Sequence, residues 1–324
     1  MRAAFIETLG GPENIRYGEL PTPRPGPTDV LVDVTATTVN PVDTFVRSGL
    51  FRTPLPFPFV IGRDLVGTVA ATGPGTAGFA VGDRVWTNSL GHGGRQGAAA
   101  EQAVVPADRL YHLPPGVRPE DAVAVVHPGA TAYLGLFTHG RLRAGETVLV
   151  AGAAGNVGSA LVTLAVEAGA RVVATASARD LDHCRALGAA EALDYRDPEL
   201  AERLTRACPG GVDLHLDTSG ENDLAAAVDL LAPRGRIVLL AGARSRPVLP
   251  VGPLYMKDCS IAGFVISHAT GTELAEAAAT LNRLLAAGRL RPRAVETLPL
   301  SAAAEVHGRM ERGELHGTRV VLRP

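Results

Sequence analysis

Apolar residues follow two different rhythms along this chain. Between about residues 123 and 266, short β-branched runs alternate with segments whose apolar residues recur every three or four positions. The runs predict strands at 147–151, 171–176, 192–195, 212–217, 236–241 and 260–266, with helices at 156–168, 181–187, 198–206 and 222–231. Six strands with helices between them predict an α/β unit built on a doubly wound parallel sheet. Before residue 120 the pattern changes. Pro and Gly are dense and the apolar runs short, at 30–36, 66–71, 83–86 and 103–105, which predicts a compact barrel-like β domain. A helical stretch at 119–126 leads into the α/β part. The tail carries helices at 272–287 and 302–313 and a last strand at 319–322, and it returns most economically to the first domain. The expected division is 1–122 with 267–324 as one domain and 123–266 as the other.

Twelve residues give the α/β unit its chemistry. Residues 147–158 read Thr-Val-Leu-Val-Ala-Gly-Ala-Ala-Gly-Asn-Val-Gly, a strand that ends in three glycines and opens into an apolar helix. Gly152 permits the sharp turn, Gly155 lets backbone N–H groups approach a pyrophosphate, and Gly158 lets helix and strand pack closely. Ala153, Ala154, Asn156 and Val157 complete the loop, and the helix N-terminus faces the phosphates with its unpaired donors. Such a turn, with a strand before it and a helix after it, marks a dinucleotide site. The next strand ends in Ser177-Ala178-Arg179, where an NAD site normally carries Asp or Glu for the ribose hydroxyls. A Ser hydroxyl and an Arg fork suit a 2′-phosphate better, so the expected cofactor is NADPH; a solvated surface arginine is the alternative for Arg179. Asp180 and Asp182 are explained by the helix start that comes after them.

Composition narrows the class. At 324 residues, one oversized domain or two ordinary ones are expected, with ample room for cores. A net charge of −2 with both signs dispersed argues against nucleic-acid and anionic-membrane partners. No run approaches a transmembrane length, and Glu7 falls where a signal peptide needs apolar residues, so the expected location is cytoplasmic. Cys184, Cys208 and Cys259 are scattered singly, without disulfide or zinc-lobe spacing. The one lysine, Lys257, reads as codon bias rather than mechanism.

Taken end to end, the chain resembles the medium-chain dehydrogenase/reductase superfamily, and within it the zinc-free, zeta-crystallin-like quinone oxidoreductases. The resemblance is carried by Val39-Asn40-Pro41-Val42-Asp43-Thr44-Phe45-Val46-Arg47-Ser48-Gly49, Gly82-Asp83-Arg84-Val85, the glycine turn, Gly235-Arg236-Ile237-Val238 and Gly317-Thr318-Arg319-Val320-Val321-Leu322. It implies a GroES-like β-barrel domain beside a Rossmann domain. Zinc-dependent members carry Cys near the position of Asn40 and Gly-His-Glu at Gly62-Arg63-Asp64, so no metal is expected; His92 and His127 lack neighbours at ligand spacing. The function implied is that of an NADPH-dependent quinone oxidoreductase. The alternatives are an NADPH-dependent enoyl or 2-alkenal reductase and an NADPH-binding protein without turnover.

The resemblance also assigns site residues. Asn40 is expected to donate near the nicotinamide or the acceptor, and Asp43 to brace its loop. Phe45 and Phe51 would wall an apolar slot for a flat ring, with ordinary barrel core as the alternative. Thr131 would sit beside the nicotinamide, or simply start a helix, and Gly242 would bring backbone to the carboxamide. Tyr195 would pack near the adenosine phosphate unless it is a surface residue, and Phe264 and Arg319 would lie near ribose and phosphate. The family's Tyr residues are missing at 45 and 51, and the loop at 90–96 is longer than the zeta-crystallin pattern. A homodimer is expected through the strand at 260–266, with an edge covered by a loop as the alternative.

Overall fold

The computed structural model describes residues 1–324, which fall into two compact units, Met1–His127 with Thr270–Pro324 and Pro128–Ala269. The first unit opens with β1 (Arg2–Ile6), β2 (Arg16–Glu19) and the ten-residue β3 (Asp29–Thr38). Helix α1 (Pro41–Ser48) comes next, then β4 (Phe59–Val60), β5 (Leu65–Thr72), β6 (Arg84–Thr87), β7 (Gln102–Pro106) and β8 (Tyr111–His112). Strands β2, β1 and β4 form a small antiparallel sheet; β3 is the spine of a larger one, pairing with β5 on one side and β7 on the other. Apolar rhythm alone does not reveal α1, yet its ends are strongly specified. Pro41 sits in its first turn, and the Asp43 carboxylate accepts the Asn40 backbone N–H at 2.7 Å, which satisfies a donor at the helix start. Helix α2 (Pro119–Tyr133) runs seven residues past its expected end, straight through Pro128. The missing N–H of Pro128 is followed by a π-helical stretch, Leu134–His139, before the chain turns.

The second unit holds β9 (Thr147–Ala151), α3 (Asn156–Glu167), β10 (Arg171–Ala176), α4 (Leu181–Ala186), β11 (Glu191–Asp194), α5 (Leu200–Ala207) and β12 (Val212–Asp217). It continues with α6 (Leu224–Leu230), β13 (Leu231–Leu239), α7 (Val251–Met256) and β14 (Ser260–Gly263). All six strands are parallel in the order β11-β10-β9-β12-β13-β14. This is the doubly wound arrangement with its switch point between β9 and β12, where such sheets bind ligands beyond the strand ends. Val148, Val150, Val172, Val173, Leu214, Leu216 and Val238 are at most 1% exposed, and β9 and β10 read as nearly continuous apolar runs because helices cover both faces, whereas β12 alternates apolar with polar residues. Strand β13 starts five residues before its expected position. Its register jumps from Val212↔Leu231 to Leu214↔Arg236, so Pro233-Arg234-Gly235 is a bulge inside the strand rather than a turn before it. Strand β14 ends at Gly263, three residues early, and a 3-10 turn takes over at Ile266–His268.

Lys257 is structural after all. Its ammonium donates to the carbonyls of Val228, Asp229 and Leu231 at 2.9–3.1 Å, closing the C-terminal end of α6 where the helix leaves carbonyls unpaired.

The tail adds α8 (Gly271–Ala286), β15 (Val295–Pro299), α9 (Ala303–Glu311) and β16 (Arg319–Arg323) to the first unit. Strand β16 lies antiparallel to the end of β3 and parallel to β15, a strand that sequence pattern alone does not show. Trp86 is fully buried, and its indole N–H reaches Asn282 of α8 at 2.9 Å. No helix is long and apolar enough to cross a membrane.

Candidate active site

The glycine turn of the second unit is built from backbone that tolerates no side chain at two positions. Gly152 has a left-handed φ of 74°, and a Cβ there would lie 2.6 Å from the Thr218 hydroxyl oxygen. A Cβ at Gly158 would overlap the Gly152 carbonyl oxygen and sit 2.7 Å from the Ala153 Cα, so α3 presses directly on the end of β9. Ala153, Ala154 and Gly158 are buried, Gly152 and Val157 half-buried, and Gly155 and Asn156 exposed. Gly155 is the N-cap of α3 and offers no side-chain oxygen to the first-turn N–H groups. An exposed, uncapped helix start over a glycine cradle is what a pyrophosphate requires, so these residues fit a dinucleotide.

The neighbouring strand ends are organised in detail. Ser177, just past β10, donates its hydroxyl to Asp180, whose carboxylate is buried at 1% exposure; Arg179 projects into solvent, its side chain 69% exposed. The expected helix-start acid is therefore tied inward to Ser177. At the end of β12, the Asp217 carboxylate collects the backbone N–H groups of Ser219, Gly220 and Asn222 at 2.7–3.2 Å. Asn222 in turn donates to Ala241 O at 3.1 Å, which ties this loop to Gly242, itself at a left-handed φ of 85°. Phe264 stacks on His139 with ring centroids 4.3 Å apart. Tyr195 is 51% exposed, with the Arg196 guanidinium over its ring, and Thr131 is half-buried on α2.

In the first unit, the Asn40 segment closes a buried polar network. The Asn40 side-chain amide donates to Asp64 Oδ2 at 2.7 Å, and its oxygen accepts from Arg319 Nη2 at 2.9 Å. Asp64 Oδ1 meets His127 Nδ1 at 3.0 Å. Arg319 also reaches Thr38 Oγ1 at 3.1 Å and Val39 O at 3.3 Å. Arg63 Nε lies 3.9 Å from Asp43 Oδ1. Asn40, Asp43, Arg63, Asp64 and Arg319 are each at most 3% exposed. Burial, then the neighbouring Asp64 carboxylate, push the Asp43 carboxyl up to about 6, against the pull of Arg63. Burial likewise holds the Arg319 and Arg63 guanidinium groups below their ordinary range, opposed by both aspartates.

This network changes two expectations. The Asn40 carboxamide is engaged at both ends, its nitrogen giving one N–H to Asp64 and lying 3.5 Å from Asp43 Oδ2, so in this arrangement it holds its neighbours in place. Arg319 belongs to the same first-unit network and turns its fork to Asn40 rather than to a phosphate. Arg63, Asp64 and His127 are the residues that sequence reasoning misses, because the pattern at 62–64 speaks only of metal ligands that are not there.

The aromatic pair separates in character. Phe51 packs against the core cluster of Phe5, Ile6, Val46 and Phe59 and tilts over His92 at 5.7 Å, whereas Phe45 is half-buried outside that cluster. The long loop after β6 is pinned. Gln96 donates to Pro56 O and Pro58 O and accepts from Val60 N, and Thr53 Oγ1 receives the Gly93 N–H at 2.9 Å.

Comparison with known proteins agrees with this geometry. Residues 26–115 match the alcohol dehydrogenase GroES-like domain model and residues 156–283 the zinc-binding dehydrogenase model. The chain is 31% identical to human quinone oxidoreductase over 328 residues, covering 99% of this chain and 97% of the relative. Among solved structures, an NAD-dependent alcohol dehydrogenase superposes with a TM-score of 0.89 at 33% identity, covering 100% of both chains. Mycobacterial Rv1454c complexed with NADPH superposes at 0.86 with 32% identity, again over 100% of both chains.

Proposed function

The chain belongs to the quinone oxidoreductase family of the medium-chain dehydrogenase/reductase superfamily and is an oxidoreductase, and from that premise we propose that it reduces quinones with NADPH and without zinc. The observation that carries the reading is the locked Asn40 carboxamide. Its oxygen is taken by Arg319 and its amide by Asp64, while Asp64 is shared with His127. Two guanidinium groups, Arg63 and Arg319, already balance the two buried carboxylates, so a dication placed among them would find no net negative charge to compensate it. No group of three or more His, Cys, Asp and Glu side chains is arranged to hold a metal. These residues do not fit Zn²⁺, and a zinc alkoxide route to alcohol oxidation has no support in them.

Bound NADPH would supply a hydride from nicotinamide C4, which together with one proton converts a quinone to a hydroquinone and leaves NADP⁺. The chain's part is to bind and orient. Residues 152–158 would cradle the pyrophosphate, and exposed Arg179 would face the 2′-phosphate, with Ser177 joining it by turning its hydroxyl away from Asp180. Tyr195, Gly242, Phe264 and Thr131 are proposed to contact the rest of the cofactor. Phe45 and Phe51 would offer faces for a flat acceptor ring, above the floor that Asn40 and Asp43 brace. NADPH is favoured over NADH because the acid beside Ser177 is buried and engaged while Arg179 is solvent-facing.

NADPH oxidation followed by absorbance, with quinones, enones and NADH as control, tests the reading. Quinone turnover at least tenfold faster with NADPH than NADH is expected. Turnover of enones alone would move the chain to the carbon–carbon double-bond reductases, and binding without turnover would remove both enzyme readings.

We also propose a cytoplasmic homodimer built on β14, an edge strand with no partner on its outer side. Nearby Val248, Val251, Tyr255 and Met256 are 60–83% exposed, an apolar strip unlike the surface of a monomer. Sedimentation should give a dimer for the native chain and a monomer for Tyr255→Asp; an unchanged mass in the variant would remove this face from the interface.

A further inference from the structure

Among the polar side chains of the first unit with buried atoms that lack hydrogen-bond partners, Arg63, Arg95 and Ser89 leave donors unpaired on neighbouring segments, beside one unpaired acceptor, Asn88 Oδ1. Arg63 is 1% exposed, yet its Nε and Nη2 have no acceptor; its one charged neighbour within ion-pair distance is Asp43, at 3.9 Å. Arg95 Nε and Ser89 Oγ are likewise unpaired. The three side chains come from segments that are bonded together. Leu90 N donates to Arg63 O at 3.2 Å, and Arg95 Nη2 reaches Ser89 O at 3.3 Å. Gln96 anchors the same loop through three bonds to residues 56–60, so Arg95 is held on a fixed strut.

The charges point the same way. The Arg95 charge acts on Arg63 and, after burial, helps to push its guanidinium down, while Arg109 does the same to Arg95. Asp43 and Asp64 are matched by Arg63 and Arg319, while Arg95 shares the single carboxylate of Asp108 with Arg109, so the three segments together carry one cation more than they carry carboxylates. Buried donors left unpaired cost on the order of 1–3 kcal/mol each, more when charged. One ligand type relieves all of them: an oxyanion, which accepts bidentately from guanidinium and singly from a hydroxyl.

We propose that Arg63, Arg95 and Ser89 form an oxyanion subsite that binds a carboxylate carried by the acceptor, so that the preferred substrates are anionic quinones or enones. The subsite presupposes that the chain reduces such acceptors. Ser89 and Arg95 lie in or beside the lengthened loop at 90–96, which makes that insertion the element that selects substrate charge.

The test pairs kinetics with binding. Turnover of a naphthoquinone is compared with that of its ring carboxylate, in the native chain, Arg95→Gln and Arg95→Lys. Binding of 2-naphthoate is measured by calorimetry with and without NADPH. The native chain is expected to favour the carboxylate in kcat/KM by on the order of tenfold, the scale of one charge-assisted hydrogen bond. That ratio should collapse toward one in Arg95→Gln, mainly through KM, and be largely kept in Arg95→Lys. Naphthoate should bind the native chain at least tenfold more tightly than Arg95→Gln. Equal turnover of both acceptors with Arg95-independent naphthoate binding overturns the subsite. Naphthoate displaced by NADPH also overturns it, because the donors would then serve the cofactor. Arg95-dependent naphthoate binding without turnover of any acceptor keeps the subsite and removes the acceptor-reducing reading.

Discussion

Replacing Arg319 with methionine is expected to destabilise the protein by about 3–5 kcal/mol at pH 7.5, the scale of removing one partner from a buried charge network. The guanidinium has three acceptors, Asn40 Oδ1, Thr38 Oγ1 and Val39 O, and it is 3% exposed. Without it, the buried Asp43 and Asp64 keep only Arg63 as a fixed counter-charge. The loss should therefore depend on pH. Burial and Asp64 raise the Asp43 carboxyl to about 6, above the 3.8 of a free aspartate. A carboxyl raised in the folded state takes up its proton earlier there than in the unfolded chain. Its stabilising effect is fully present below 3.8 and is lost as pH rises through about 6. Removing a nearby cation raises that carboxyl further, so the variant should recover at least half of its deficit at pH 4.5. Urea unfolding of both proteins at both pH values measures this. An equal deficit at the two would mean that Arg319 acts by filling space and that charge balance is not what holds Asn40.

That network shows where sequence reading stops. The sheet of the second unit is legible because Thr147–Ala151 and Arg171–Ala176 carry runs of Val, Leu and Ala and Val212–Asp217 alternates apolar with polar residues; all three begin and end where those patterns do. The bulge at 233–235 is not, because Pro-Arg-Gly carries the same signal inside a strand as in a turn. In the first unit, β2 and β15 are short and largely exposed, so their residues alternate too weakly to stand out, and β1, buried from Ala3 to Ile6, is only five residues long and does not alternate. The candidate site divides in the same way. Residues 152–158 form a local motif in which every role depends on neighbours a few positions away. Asn40, Asp64, His127 and Arg319 depend on partners 24, 63 and 279 positions apart, a relation no single sequence displays. Asn40 can be singled out by resemblance, but its commitment to Asp64 and Arg319 cannot.

Two glycines of the turn are expected to fail differently, and the contrast isolates what each does. Gly158→Ala places a methyl group over the Gly152 carbonyl oxygen and 2.7 Å from the Ala153 Cα. Both neighbours are backbone, so neither swings aside; α3 must move off the end of β9 or the turn must open. NADPH affinity should fall by on the order of a hundredfold or more, about 3 kcal/mol, together with a measurable loss of thermal stability. At Gly155 the surroundings are open. An added Cβ would find Gly152 O at 3.3 Å as its nearest neighbour, and the backbone φ is −71°, a conformation any residue adopts. Gly155→Ala should therefore melt as the native chain does, while the methyl stands where a pyrophosphate oxygen would approach the first-turn N–H groups. Affinity is expected to drop about tenfold with no change in Tm. Fluorescence titration of NADPH beside thermal melts separates the two. If Gly155→Ala binds like the native chain, the phosphates do not rest on this helix start, and the proposed cofactor geometry fails. If Gly158→Ala loses stability but binds normally, close strand–helix packing is a requirement of the fold alone.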